Sequence, residues 1–254
     1  MNKLSGTHTL LNVKIKNQSF ETILDKIKKH IHVAYSFFHI VSLNPENIMT
    51  SMSDEDFRVI LSEADIQLID GIAVALGCDF LKIPHGRRLT GADFMNDLVK
   101  MGYENGLRIM LLGGYGNLAK KVRDCYTKKY PNIDIFALTG FSDIKASKED
   151  DYEALFTKVA AYKPQIIISA FGSPHQEKLF YDNRALLKGV ICMGVGGGFE
   201  FVAEIIPRAP VWMRQVGLEW LFRLIIQPWR WRRQIKIIEY FFRVILWKMR
   251  SSKP

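Results

Sequence analysis

Cysteine is scarce in this chain: three thiols in 254 residues, Cys78, Cys125 and Cys192, lie far apart. None belongs to a C-x-x-C pair and none has a His at metal-ligand spacing, so neither a disulfide framework nor a metal site is signalled. They read as core thiols of a protein kept in a reducing compartment. Long apolar runs are missing too. Arg223, Pro228, Arg230 and Arg243 interrupt every candidate for the ~18 apolar residues that span a bilayer. The first residues enter a polar, charged stretch instead of an apolar core of about 7–15 residues, so we expect no signal peptide and a cytoplasmic protein. Low-complexity tracts are absent, and 48% apolar with 24% charged residues excludes wholesale disorder.

What is present is unevenly placed. Residues 207–254 hold eleven basic side chains against Glu219 and Glu239, together with all five tryptophans. That accounts for the whole net charge of +9, and residues 1–206 are neutral. We therefore expect a body, 1–206, and a basic, Trp-rich appendage, 207–254, whose partner is an anionic surface.

In the body, short apolar runs alternate with amphipathic stretches. The pattern predicts strands near Thr7–Val13, Phe37–Leu43, Ile66–Ile69, Arg108–Leu112, Ile133–Ala137, Gln165–Ala170 and Val190–Val195. Helices are predicted at about Phe20–His30, Asp54–Ala64, Ala92–Glu104, Asn117–Tyr130, Ser147–Tyr162 and Gln176–Leu187. The class is α/β: a mostly parallel, wound, Rossmann-like sheet with helices on both faces and a basic helical C-terminal appendage. Such sheets bind ligands beyond the carboxyl ends of their strands.

The residues found there carry the candidate chemistry. Asp70 ends an apolar strand and is followed by Gly71, so it is either a general base or the cap of a helix starting near Ile72. Asn44 before Pro45 is a strand stop or a pocket residue. Gly113, Gly114, Gly196 and Gly197 follow strands, where they either close tight turns or let backbone N–H groups approach a phosphate. They do not form a full dinucleotide fingerprint, which disfavours a nicotinamide or flavin oxidoreductase. Arg87 and Arg88, in a Gly-flanked loop, are solvated or hold a diphosphate. Gln176 has the chemistry to hydrogen-bond a sugar or base, whereas His175, with no ligand partner in sequence, reads as an incidental surface residue.

In the appendage, Arg223, Arg230 and Arg233 share a face if one helix carries them, with Pro228 placed to bend it. Farther on, Arg233, Lys236, Arg243 and Arg250 form a stripe apart from Ile235, Ile238, Phe241, Phe242 and Ile245, as in an interfacial membrane helix. The alternatives are a helical pair packed on the sheet or on another subunit, which would make a homo-oligomer, and a single-stranded nucleic acid, for which the signal is weaker.

Several of these segments occur together in one family. Asn44-Pro45-Glu46, Ala64-Asp65-Ile66 with Asp70-Gly71-Ile72, Arg88 with Gly91-Ala92-Asp93, Leu112-Gly113-Gly114, Phe171 to Glu177, Gly194 to Gly197, and Arg208-Ala209-Pro210 stand in family order. Glu219-Trp220-x-x-Arg223 and Pro228-x-Arg230-x-x-Arg233 follow. From about residue 8 to about 235 the chain resembles the WecG/TagA/CpsF family of bacterial glycosyltransferases. The resemblance implies an inverting, metal-independent and cofactor-free transfer of a sugar, of the N-acetylmannosamine type, from a UDP-sugar to a polyprenyl-diphosphate-linked saccharide. It implies that Asp70 is the catalytic base and that Ser42, where relatives often have Thr, lines the pocket with Asn44, Arg88 and Gln176. It also implies that Arg223, Arg230 and Arg233 close over the diphosphate while the tail docks on the inner face of the cell membrane. Glu200, where relatives often have Asp, and Glu204 to Pro207 depart from the family pattern, and these departures bear on the donor sugar. The logic is self-consistent: without an obvious Asp-x-Asp metal site, arginines must support the leaving diphosphate. A non-catalytic nucleotide-binding membrane scaffold is the competing expectation, and it would have no use for Asp70.

Overall fold

A computed structural model describes residues 8–33, 35–141, 144 and 147–251, without the side chains of Arg232, Arg233 and Ser251. The chain opens with a hairpin, β1 (Thr9–Leu10) and β2 (Val13–Lys14), turned by Leu11 and Asn12 at φ 48° and 71°. One strand was expected over Thr7–Val13. A two-residue turn with both residues left-handed is what a tight hairpin requires, and only Asn12 hints at it. Thr7 lies outside the described residues.

Six further strands form one parallel sheet: β3 (Phe38–Leu43), β4 (Ile66–Ile69), β5 (Ile109–Gly113), β6 (Ile135–Leu138), β7 (Ile166–Ala170) and β8 (Ile191–Gly194). Their order is β4-β3-β8-β7-β5-β6. Every residue of β3, β4, β5 and β8 is buried, as continuous apolar runs covered on both faces demand, whereas β6, at the edge, is partly exposed. Helices flank the sheet. They are α1 (Phe20–His32), α2 (Pro45–Ser51), α3 (Glu55–Glu63), α4 (Ile72–Phe80), α5 (Gly91–Glu104), α6 (Leu118–Lys129), α7 (Glu149–Tyr162) and α8 (His175–Asp182). After β8 come α9 (Gly198–Val202), α10 (Val211–Gln215), α11 (Glu219–Ile226), a 3₁₀ turn at Pro228–Arg230, and α12 (Trp231–Ser251).

Local chemistry explains several boundaries. Asp54 caps α3, its carboxylate accepting from the Phe57 N–H at 3.0 Å. Lys163, left-handed at φ 53°, ends α7. Tail residues 219–251 do not form one helix: the chain leaves α11 at Gln227, and Pro228, which cannot donate to a preceding carbonyl, starts the 3₁₀ turn.

The chain forms two compact units, the first within Met1–Ile23, Ser42–Thr90 and Arg208–Pro254, the second comprising Leu24–Val41 and Gly91–Pro207. Strand β3 is common to both: Phe38, His39 and Ile40 pair with β8 in the second, and the Leu43 carbonyl accepts from the Asp70 N–H in the first. In the first unit α12 packs on α2 and α4, burying Tyr240 and Val244. Gly77 of α4 has no side chain because the Tyr240 ring fills that space; an added Cβ would overlap its hydroxyl. In the second unit Met110, Leu112, Ile167, Leu179, Phe180 and Cys192 pack into one core layer. Cys78 and Cys192 are buried, and burial pushes the Cys78 thiol up to about 12, as core thiols should behave.

Candidate active site

Of the expected site residues, Ser42, Asn44, Asp70, Arg88, Arg223, Arg230 and Arg233 belong to the first unit, and Gly113, Gly114, Gln176, Gly196 and Gly197 to the second.

In the first unit the site is built where β3 and β4 end. Asn44 caps α2, its Oδ1 accepting from the Asn47 N–H at 2.9 Å, and Pro45 follows at the first helical position. The Asn47 amide donates to the Ser42 carbonyl at 2.8 Å, so this buried side chain holds Ser42 and Asn44 in one turn. Asp70 is pinned through its N–H to the Leu43 carbonyl at 2.9 Å. The next residue, Gly71, stands at φ 107° and takes the N-cap position of α4. The N-cap residue of α4 is thus Gly71, with Asp70 one position before it.

Arg88 reaches the same place from the loop before α5. It forms a parallel bridge with Ile69, and the Leu89 N–H donates to the Ile69 carbonyl at 3.0 Å. A base candidate and a cation are thus set on adjoining backbone positions at one strand end. The Arg88 guanidinium donates to the carbonyl of Arg214, at the close of α10. Gly217, at φ 80°, packs against Ile72, where a Cβ would come within 2.6 Å of that side chain. These contacts set the end of α10 against Arg88 and the turn after it against the start of α4. Arg87, by contrast, lies over the Phe20 ring at 4.2 Å.

Arg223 donates from Nε to Gln227 Oε1 at 3.3 Å, and the Arg230 N–H donates to the Gln227 carbonyl at 3.0 Å. Gln227, buried at the helix break, joins the two arginines that one continuous helix would have placed on a shared face. Arg233 lies in the first turn of α12, and its side chain is outside the described residues.

In the second unit the glycines after β5 have packing reasons. Gly113 and Gly114 have φ of 87° and 82°, and a Cβ on either would crowd Phe171 or Leu118 to within 2.9 Å. A close turn accounts for both. After β7 and β8 the picture differs. Gly172 and Gly196 have positive φ, with open space where a Cβ would stand, while Gly197 caps α9. Both N–H groups, Gly172 at 3.1 Å and Gly196 at 3.4 Å, donate to Oε1 of Gln176. Gln176 is 2% exposed, and its Nε2 donates to Glu177 Oε1 at 2.8 Å. Gly194 is glycine because the Gln176 side chain occupies the room a Cβ would need.

Sequence reasoning missed three residues: Asn47, Gln227 and the buried Glu177. Asn47 was detectable from its spacing, three residues after a capping Asn. Glu177 stood out only as the end of the Phe171 to Glu177 segment. The chain also contains one literal Asp-x-Asp, Asp54-Glu55-Asp56, and it is spent on starting α3. Among the described residues no three His, Cys, Asp or Glu side chains gather to hold a metal ion. His175 begins α8, half-buried.

The relatives of this chain are enzymes. A Bacillus subtilis (strain 168) protein named N-acetylglucosaminyldiphosphoundecaprenol N-acetyl-beta-D-mannosaminyltransferase is 30% identical over 240 residues, 94% of this chain and 91% of that one. A protein of the same name from Bacillus spizizenii is 29% identical over 215 residues, 85% of this chain and 81% of that protein. Another, from Staphylococcus aureus (strain NCTC 8325), is 26% identical over 245 residues, 96% of this chain and 94% of its own. The model of the glycosyl transferase WecG/TagA/CpsF family matches residues 8–254. With that match over nearly its whole length, a parallel sheet of the expected kind, and an acid and an arginine set together where β4 ends, the chain belongs to the WecG/TagA/CpsF family of glycosyl transferases.

Proposed function

We propose that the protein is an inverting, metal-independent glycosyltransferase. It moves an N-acetylmannosamine-type sugar, or a related hexose, from a UDP-sugar to a saccharide carried on a polyprenyl diphosphate, in cell-surface polysaccharide or teichoic-acid synthesis. The relatives' names supply the acceptor and sugar classes. The observation that carries the mechanism is the end of β4, where Asp70 follows the residue that Arg88 bridges.

Asp70 accepts the proton of the acceptor hydroxyl as that oxygen bonds to the anomeric carbon. On the opposite face the bond from this carbon to the diphosphate oxygen breaks, UDP leaves with the electron pair, and the configuration inverts. Arg88, Arg223, Arg230 and Arg233 neutralise the departing diphosphate, a role in which bidentate guanidinium groups replace a divalent ion. Ser42 and Asn44 bound the pocket beside Asp70. Gly113, Gly114 and Gly197 offer backbone N–H groups to the donor, and Gln176 holds the loop of Gly197 through the N–H that Gly196 donates to it.

The protein works at the inner face of the cell membrane. Among the described residues no helix is long and apolar enough to cross a bilayer. However, α12 leaves Trp231, Ile235, Ile238, Phe242, Ile245 and Met249 exposed at helical spacing, next to the face that carries Lys236, Arg243 and Arg250. An apolar stripe beside cations suits an anionic leaflet.

The test is turnover of a panel of UDP-sugars with a short-chain N-acetylglucosamine-diphosphate-polyprenol. UDP-N-acetylmannosamine is expected to react, with EDTA having no effect. Asp70→Asn should lower turnover by ~10²–10⁴ without changing the melting temperature. Near wild-type turnover in that variant removes Asp70 as the base, and loss with EDTA that Mg²⁺ restores would return the leaving group to a metal.

A further inference from the structure

Glu177 is buried in the first turn of α8. Its Oε1 accepts two hydrogen bonds at 2.8 Å, one from Ser173 Oγ and one from Gln176 Nε2. Its Oε2 is buried, with no hydrogen-bond partner among the described residues. A carboxyl group so enclosed is costly to keep, and burial pushes its pKa up. Nothing in the transfer chemistry proposed for Asp70 calls on it.

Its geometry nevertheless has one clear effect. A glutamine amide has two ends that differ only in which atom donates, and at Gln176 the surroundings are of opposite kinds. One end meets two backbone N–H groups, from Gly172 and Gly196, and the other meets a carboxyl oxygen and the Ser173 hydroxyl, the latter at 3.4 Å. Turning the amide over would set NH₂ against N–H and carbonyl oxygen against carboxyl oxygen, losing the good bonds on both sides at once. An acceptor at position 177 therefore forces Oε1 toward the glycines. Gly172 lies on the loop after β7 and Gly196 on the loop after β8, so a correctly turned Gln176 sets the spacing of these two loops.

We propose that Glu177 is a positioning residue: through the Gln176 amide it holds the backbone N–H groups of Gly172 and Gly196, and with them the two loops, in the arrangement that receives the diphosphate side of the donor. What the loops receive rests on the functional reading above; the holding itself does not. Serine at 173 and glycine at 194 complete the device, one by sharing the acceptor and the other by leaving room for the amide.

Two substitutions separate this role from packing. Glu177→Gln keeps one acceptor oxygen at the Oε1 position in the same volume. Glu177→Leu keeps volume and removes the acceptor. Amide hydrogen exchange in the unliganded protein should show Gly172 and Gly196 exchanging about tenfold faster in Glu177→Leu and within about twofold of wild type in Glu177→Gln. In kinetics, Glu177→Leu should raise the donor KM about tenfold with the acceptor KM unchanged, and Glu177→Gln should restore it. A role in packing alone would alter the melting temperature and active fraction but leave KM and these two amides unmoved.

Equal protection of both amides in wild type and Glu177→Leu overturns the proposal. So does loss of their protection in a folded Glu177→Gln, a result that counts even if Glu177→Leu does not fold. UDP binding by wild type, measured by calorimetry, tests the donor reading separately. Absent UDP binding with the amide pattern as expected would refute the donor reading and leave the positioning role standing.

Discussion

His39 stands inside β3 with 2% of its surface exposed and the ring centroids of Phe37 and Phe180 5.2 and 6.0 Å away. Burial holds its pKa down at about 3, because an imidazolium there would lose its hydration. In the unfolded chain the same group takes up a proton below pH 6.5 or so. Between about 6.5 and about 3 the unfolded state therefore binds more protons than the folded state, and stability falls as pH falls through that window. At pH 5 the contribution is about 2 kcal/mol. Urea unfolding at pH 7 and pH 5 should show wild type losing about that much more than His39→Leu; equal losses would mean that other groups govern acid sensitivity. Residues of this kind were hard to read in advance. A His in an apolar run shows burial but not its neighbours, and Gly194 looks like any turn glycine until Gln176 is found in its place. Asp70 was legible as a candidate because ligands bind beyond strand ends, whereas Arg88 read only as a residue of a Gly-flanked loop until its bridge to Ile69 placed it beside that strand. Gln176 was legible as a candidate, while the network that saturates it depends on Glu177 turning inward.

Among the elements, the seating of α12 on α4 is the most exposed to test. Tyr240 presents to the surface of Gly77 a buried hydroxyl that has no hydrogen-bond partner among the described residues. Gly77→Ala should cost about 1–3 kcal/mol through overpacking, even though alanine is the better helix former. Tyr240→Phe removes an unsatisfied polar atom and should be neutral or stabilising. In the double variant the added methyl no longer meets the oxygen, so thermal unfolding should show part of the Gly77→Ala loss recovered. Strict additivity would place the strain elsewhere. The parallel strands were plain from the sequence as apolar runs, and α5, α6 and α7 from their periodicity. Others were less plain, α4 being named only as an alternative to a catalytic Asp70. Helix α4 is too apolar to show a polar face, and α2 is a seven-residue turn of helix hidden behind Asn44-Pro45. The break at Gln227 was announced by Pro228, as a residue with no N–H must announce it.

At the scale of the whole molecule, the exposed stripe of α12 and the cations beside it make a prediction that truncation cannot test, because removing α12 would also remove the buried Tyr240 and Val244. Ile238 and Phe242, 72% and 59% exposed, can be changed to serine together with stability altered by less than about 0.5 kcal/mol each. Co-sedimentation with phosphatidylglycerol-containing vesicles should then weaken about tenfold or more, and wild-type binding should fall with added salt. Unchanged vesicle binding by the folded variant would leave the stripe for a second copy of the chain. The proposal of membrane docking came from composition, since tryptophan and arginine gather in one tail. The division into units could not, because it depends on contacts between residues as distant in sequence as Gly77 and Tyr240. That division also orders events at the ribosome. When synthesis has reached Pro207, every residue of the second unit exists, but the last segment of the first, Arg208–Pro254, has yet to be made. Until it emerges, Gly77 faces no ring and α2 and α4 lack the helix that covers them. The residues of the glycine loops are thus made before the helix that completes the packing of α2 and α4 in the unit of Asp70.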